Sequence, residues 1–179
     1  IDALVLTRQL QEFGGIANPL LCFGSSESPN LSLSFALGPD FEALARERGW
    51  SRKQKKMRNQ SRRLEDRGGW TCVSSENAGS ALKLVETFFA LKAARFKEFG
   101  QRNAFGEENV KNFFRRLFIE AAASPDPQFQ LDALAVNGEL LAESGSVFKH
   151  GTVLVEFGAV DGTETSLSPG DFLYHQLIK

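Results

Sequence analysis

The sequence is short of the side chains on which most site chemistry rests. Its 179 residues include two cysteines, two histidines, one tyrosine and one methionine. Cys22 and Cys72 stand far apart with no C-x-x-C spacing, which excludes a zinc ribbon and speaks against a disulfide framework. With the histidines isolated as well, no metal cluster is expected. No apolar run approaches the roughly 20 residues of a membrane span, and no signal-peptide pattern opens the chain. Charge of one sign is lacking too: a net charge of −1 describes neither a polyanion binder nor an acidic tail. A reducing, cytoplasmic setting is the expectation. Internal repeats and low-complexity segments are absent. What is present is a 42% hydrophobic chain with 16 phenylalanines, enough for a proper core in one domain of ordinary size.

Along the chain, Gly14-Gly15, Asn18-Pro19 and the run from Gly24 to Asn30 break any long element, so residues 1–30 read as a linker or the tail of a preceding domain. Leu31, Leu33, Phe35 and Leu37 alternate with small residues and predict a half-buried strand. Asp40 reads as the N-cap of a helix over 41–48 with Leu44 inward. A second helix follows from Trp50 to Arg67, closed by Gly68-Gly69, and then a short strand over 70–73. Two amphipathic helices are predicted over 80–99, with Leu82, Val85, Phe89, Ala93 and Phe96 inward, and over 107–123, with Val110, Phe113, Phe114, Leu117, Phe118 and Ala121 inward. Three strands at 129–136, 139–148 and 152–159 turn at Asn137-Gly138 and His150-Gly151, an antiparallel meander. The order implies an α+β fold: a mixed, largely antiparallel sheet flanked by helices.

Two stretches draw attention. From Phe157 the chain leaves a strand, passes Asp161-Gly162 and enters a terminal helix through Ser168-Pro169-Gly170. The first N–H groups of a helix have no internal partner and face the positive end of its dipole, so a strand–loop–helix junction of this kind suits a phosphate. Plain turn and N-cap chemistry is the more frequent use of Ser-Pro-Gly. The other stretch is basic: eight Lys and Arg against Glu65 and Asp66 between residues 51 and 67. Trp50, Met57 and Leu64 form a narrow inward seam there, which turns Arg52, Lys55, Lys56, Arg58, Arg62 and Arg63 outward as an anion-binding patch or an ordinary solvated face. Nucleic acid is poorly supported, since no nucleic-acid motif accompanies the patch. Glu143 and Glu156, on adjacent predicted strands, are the candidates for a general base, although strand alternation favours a solvent face for them. The run Glu143-Ser144-Gly145-Ser146 lacks the spacing of a nucleophile elbow. His150 is expected in an exposed turn, and His175 lies one helical turn from Asp171.

Taken together, RKQKKMRNQSRRLEDRGG at 52–69, LKAARFKEFG at 91–100, LLAESGSVF at 140–148 and SLSPGDFLYHQLIK at 166–179 resemble the GNAT acyltransferase superfamily, and most of all its CelD-like branch, named for cellulose biosynthesis and related to the FemAB-type transferases. The resemblance covers residues 31–179. It implies an acyl donor, acetyl-CoA or another acyl-CoA, whose pyrophosphate lies on the loop and helix start of Ser166, Ser168, Gly170, Asp171 and Phe172. It implies direct attack on the thioester by an amine or hydroxyl of a small-molecule or saccharide acceptor, with proximity and backbone donors supplying the catalysis. In two respects the sequence departs from the superfamily. Its loop SLSPGD is poorer in Arg, Gln and Gly than the usual phosphate loop, and the chain stops before the strands that complete such a domain. The expectation is therefore a piece of a longer protein, truncated at the C-terminal end of the domain, or a homo-oligomer or strand exchange that completes it. A non-catalytic module that uses the basic helix for an anionic partner is the alternative.

Overall fold

The structure, a computed structural model, describes residues 9–13, 15–27, 29 and 33–179, apart from the side chains of Phe13 and Thr165. A two-residue pairing of β1 (Glu12–Phe13) with β2 (Ile16–Ala17) and a 3-10 turn over Pro19–Phe23 come first. Helices α1 (Phe41–Glu47) and α2 (Ser51–Glu65) follow, then β3 (Trp70–Ser74), α3 (Ala78–Glu98), α4 (Glu108–Ala122), β4 (Phe129–Val136), β5 (Glu139–Lys149), β6 (Thr152–Val160) and α5 (Pro169–Leu177). The last four strands form one sheet in the order β3-β4-β5-β6, with every pairing antiparallel. The α+β class holds, with no parallel pairing among the described residues.

Helices cover both faces of the sheet. On one face Met57 and Leu64 of α2 and Phe172 and Leu173 of α5 pack against Leu134, Val136 and Ala142. On the other, Leu84, Val85, Phe88 and Phe89 of α3 and Phe118 of α4 pack against Leu131, Ala133 and Ala159. A bulge between β4 and β5 at Leu134/Ala135 lets the consecutive Leu141 and Ala142 both join the α2/α5 cluster, which a regular strand forbids. Both hairpins turn through two residues with positive φ, Asn137 (50°) and Gly138 (82°), then His150 (49°) and Gly151 (70°). That is the geometry whose twist matches the flanking strands.

Three expectations need correction. Residues 33–37 form no strand: Leu33 is 90% exposed and Leu37 52%, and Leu31 and Ser32 lie outside the described residues. The alternation is real, but among the described residues no strand pairs with it. In α3 the inward stripe runs through Ala81, Leu84, Val85, Phe88 and Phe89, while Leu82 and Ala93 are exposed. The stripe is shifted by about one position from the expected one, and beyond Phe89 the helix is only partly buried, at Leu91, Lys92 and Phe96. Phe113 of α4 is also exposed, its ring edge-on to Phe114 at 5.4 Å.

Phe157 is the centre of the aromatic layer, with ring centroids 4.8 Å from Phe88, 5.6 Å from Phe114 and 6.1 Å from Phe118. Its ring lies over Gly145, its partner in register on β5. A Cβ at Gly145 would stand 2.2 Å from the ring, so only glycine leaves room. Gly145→Ala is expected to expel the ring and cost about 1–3 kcal/mol or more, the usual figure for overpacking. An unchanged urea midpoint would show that the ring has another place to go.

Candidate functional site

The basic helix and the Ser-Pro-Gly loop, far apart in sequence, meet in space. Met57, Gln60 and Leu64 are buried, and Trp50 is half-buried against Phe35 and Phe41. This seam sets α2 on the sheet beside α5, and Trp70 fastens the corner. Its Nε1–H donates to Ser61 Oγ at 3.1 Å, and its ring meets Phe172 edge to face at 4.8 Å. The opposite side of α2 then forms a groove of about 350 Å³ with the loop, lined by Arg52, Lys55, Lys56, Arg63, Gln60 and Ser166–Ser168 among others. Arg58 and Arg62 are exposed on α2 but do not line the groove.

Hydrogen bonds hold the loop to α2. Arg63 Nη1 donates to the Ser166 carbonyl at 3.1 Å, and Gln60 Nε2 donates to the Ser168 carbonyl at 2.9 Å. Arg67 pairs with Glu164. Ser168 takes the left-handed conformation, φ 43° and ψ 56°, a strained one for a residue with a Cβ. Its carbonyl accepts both from Gln60 and from the Phe172 N–H at 3.2 Å, which fixes that conformation. As a result the Ser168 side chain caps nothing, Pro169 has no N–H, and α5 begins without a side-chain cap. The N–H groups of Gly170 and Asp171 lie in its first turn, where no intrahelical partner exists.

Not every residue of the predicted phosphate loop faces that opening. The N–H of Phe172 is taken by the Ser168 carbonyl, and its side chain is fully buried. The bare side of Gly170 faces the sheet: a Cβ there would stand 3.0 Å from Val160 Cγ1. This glycine therefore seats α5 against β6. Asp171 turns outward to Lys56 at 2.9 Å and Lys53 at 3.4 Å, and the Lys56 ammonium above all holds its carboxyl below the usual range. Sequence reasoning passed over Gln60 as a site residue. Its signal was a polar residue one turn after Met57 on a buried seam. It is only 5% exposed, and its Oε1 has no hydrogen-bond partner.

The two carboxylates are not brought to the groove. Glu156 is exposed at the β5–β6 bulge, skipped by the ladder that pairs Gly145 with Phe157 and Ser146 with Val155. Glu143 corrects the solvent-face expectation. It is 2% exposed and pairs in register with Ala133 and Ala159 on the α3/α4 face, away from α2. Neither of its oxygens has a partner, and burial pushes its carboxyl up to about 8. His150 is exposed, and the His175 ring packs edge-on against Phe41 at 5.3 Å. Among the described residues no group of His, Cys, Asp and Glu could hold a metal ion, and no helix is long and apolar enough to cross a membrane.

One family model, described as an acetyltransferase (GNAT) domain, matches residues 51–179. Among curated proteins, none matches the chain.

Proposed function

The chain belongs to the GNAT acetyltransferase domain family, and on that premise we propose that it binds an acyl-CoA in the groove between α2 and the start of α5 and transfers the acyl group to an amine or hydroxyl. The observation that carries this reading is the convergence of Arg52, Lys55, Lys56 and Arg63 on the uncapped helix start. Acyl-CoA is an elongated anion, and the lining suits it: cations and helix-start N–H groups for phosphate. Bound there, it supplies the activated thioester that the acceptor attacks directly.

The chain's own contribution is orientation. The N–H groups of Gly170 and Asp171 and the α2 cations hold the phosphates, and Ser168, pinned by Gln60, keeps the helix start open. Asp171 draws Lys56 and Lys53 to the helix start, its carboxylate neutralised by them. The acceptor in this reading is a small molecule, a saccharide being one such, and the kinship is with the CelD-like branch. The exposed free thiols Cys22 and Cys72 suit a reducing, cytoplasmic compartment. A single observation favours the alternative of a non-catalytic binding module: neither Glu143 nor Glu156 lines the groove.

Reversing Lys55, Lys56, Arg62 and Arg63 to Glu separates binding from folding. All four are exposed, so reversing Lys55 or Arg62 should cost under about 0.5 kcal/mol of stability each, while reversing Lys56 and Arg63, which hold Asp171 and the Ser166 carbonyl, loosens the loop locally and leaves the core intact. Acetyl-CoA should bind the parent chain, more weakly as salt rises, and the quadruple variant at least about tenfold less well. Calorimetric titration reads this directly. An unaltered affinity in a folded variant would move the donor site away from α2.

A further inference from the structure

We propose that the sheet face beside α5 holds a second site, separate from the donor groove, which takes a primary ammonium flanked by hydroxyls: Asp132 holds the ammonium and the Tyr174 hydroxyl a neighbouring oxygen. The site follows from the sheet itself. Its role, to seat the acceptor as an amino alcohol or amino sugar, rests on the acyltransferase reading and narrows it.

A row of polar side chains crosses the α2/α5 face of the sheet. Ser74, Asp132, Ser144 and Gly158 stand in register on β3, β4, β5 and β6, next on that face to the core pair Leu134 and Ala142. Asp132 is 3% exposed and Ser144 is fully buried. The fold gains nothing from this polarity, since the Ser144 Oγ is enclosed without a partner, an arrangement that costs stability. Local rules broken in this way are expected at a functional position.

The Asp132 carboxylate is oriented. Its Oδ1 accepts from Ser74 Oγ at 2.6 Å and from Gln130 Nε2 at 2.7 Å. Its Oδ2 has no partner among the described residues and, unlike the Ser144 Oγ, still meets solvent. No cation neutralises Asp132 among the described residues, and its charge is felt at Cys72, whose thiol is pushed up by burial first and by Asp132 second. A carboxylate with two neutral donors on one oxygen gains most from a ligand that brings positive charge and N–H donors to the other. Among the described residues no group of His, Cys, Asp and Glu could hold a metal ion, which points to an ammonium.

Tyr174 marks the other side of the row. A Cβ on Gly158 would stand 2.9 Å from its hydroxyl, so the hydroxyl rests on the strand where only glycine leaves it room. The residue is 40% exposed, and the hydroxyl makes no hydrogen bond among the described residues. Asp132 and Gly158 flank Ser144 on neighbouring strands, roughly 10 Å apart at the backbone. A small molecule lying across Ser144 therefore meets a carboxylate on one side and a hydroxyl on the other. An ammonium and hydroxyls on one compact carbon frame satisfy both.

The test is NMR titration of the full chain with glucosamine and with glucose, which has a hydroxyl in place of the ammonium, on the parent, Asp132→Asn and Tyr174→Phe. Asparagine keeps an acceptor for Ser74 and Gln130 and removes the charge. The parent should bind glucosamine at least about tenfold more tightly than glucose, as expected for a charge-assisted contact, with the largest amide shifts at Asp132, Ser144 and Gly158. Asp132→Asn should bring glucosamine down to the level of glucose, and Tyr174→Phe should weaken both. Equal binding of the two sugars by the parent overturns the inference, and so does a preference that survives Asp132→Asn. Should Asp132→Asn fail to fold, the parent decides: glucosamine shifts that fall elsewhere overturn the inference. Acetyl-CoA is titrated into the same samples. Acetyl-CoA binding without glucosamine binding removes the inference alone. Glucosamine binding at Asp132 without acetyl-CoA binding keeps the amine site and removes the acyltransferase reading.

Discussion

Raising the pH from about 5 to about 9 should cost the folded chain on the order of 4 kcal/mol of stability through one residue, Glu143. Its carboxyl is enclosed on the α3/α4 face of the sheet, 2% exposed, with no donor to either oxygen. Desolvation disfavours the charged form, and the group stays protonated up to about 8. In the unfolded chain it ionises near its ordinary value of 4.5. Between those two values the folded state holds a proton that the unfolded state has lost. Its contribution is therefore complete below 4.5 and is lost as the pH rises through about 8, at about 1.36 kcal/mol for each pH step. Glu143→Gln keeps the shape and removes the titration. The variant should be no more stable than the parent in acid, because its amide is also buried unpartnered, and clearly more stable in alkali. Urea unfolding across that range reads the crossing. Parallel curves for parent and variant would mean that Glu143 is hydrated or paired in solution.

Phe88→Ala should remove about 3–5 kcal/mol, much of the margin of a domain this size. Phe88 is fully buried and touches the rings of Phe89, Phe105 and Phe157, the last two at 4.9 and 4.8 Å. Removing it opens a cavity between α3 and the sheet that neighbours pinned in an aromatic cluster fill poorly. Phe114, also expected inside, is only half-buried, so its truncation should cost less. Chemical denaturation of the two variants side by side checks the order, and a loss below about 1 kcal/mol for Phe88 would contradict this account of the core.

Local signals carried much of this structure. The meander and its two turns follow from Asn137-Gly138 and His150-Gly151, and Asp40 caps α1 through the N–H groups of Glu42 and Ala43 as its position suggests. Both halves of the groove were visible as separate features, the basic stripe of α2 and the Ser-Pro-Gly start of α5. Their meeting was not, because it depends on how two helices more than 100 residues apart share one sheet face. Glu143 was misread for a related reason. Alternation places a side chain on a face of the sheet, but only tertiary packing decides whether that face meets water, and here helices cover both. The segment 33–37 shows the converse, a strand pattern with no neighbour to complete it. In α3 the helical period was right and the phase was not: the side turned to the sheet carries Ala81, Leu84 and Phe88 beside Val85 and Phe89, not Leu82 and Ala93.

The most direct measurement is a backbone amide NMR titration with CoA, which locates the bound phosphates without reference to activity. The account predicts the largest shifts at the N–H groups of Ser168, Gly170 and Asp171, with smaller ones along the exposed side of α2 at Arg52, Lys55 and Lys56, and little change in the hairpin turn at His150-Gly151. Saturable binding that leaves residues 166–171 unmoved and shifts another surface would contradict it.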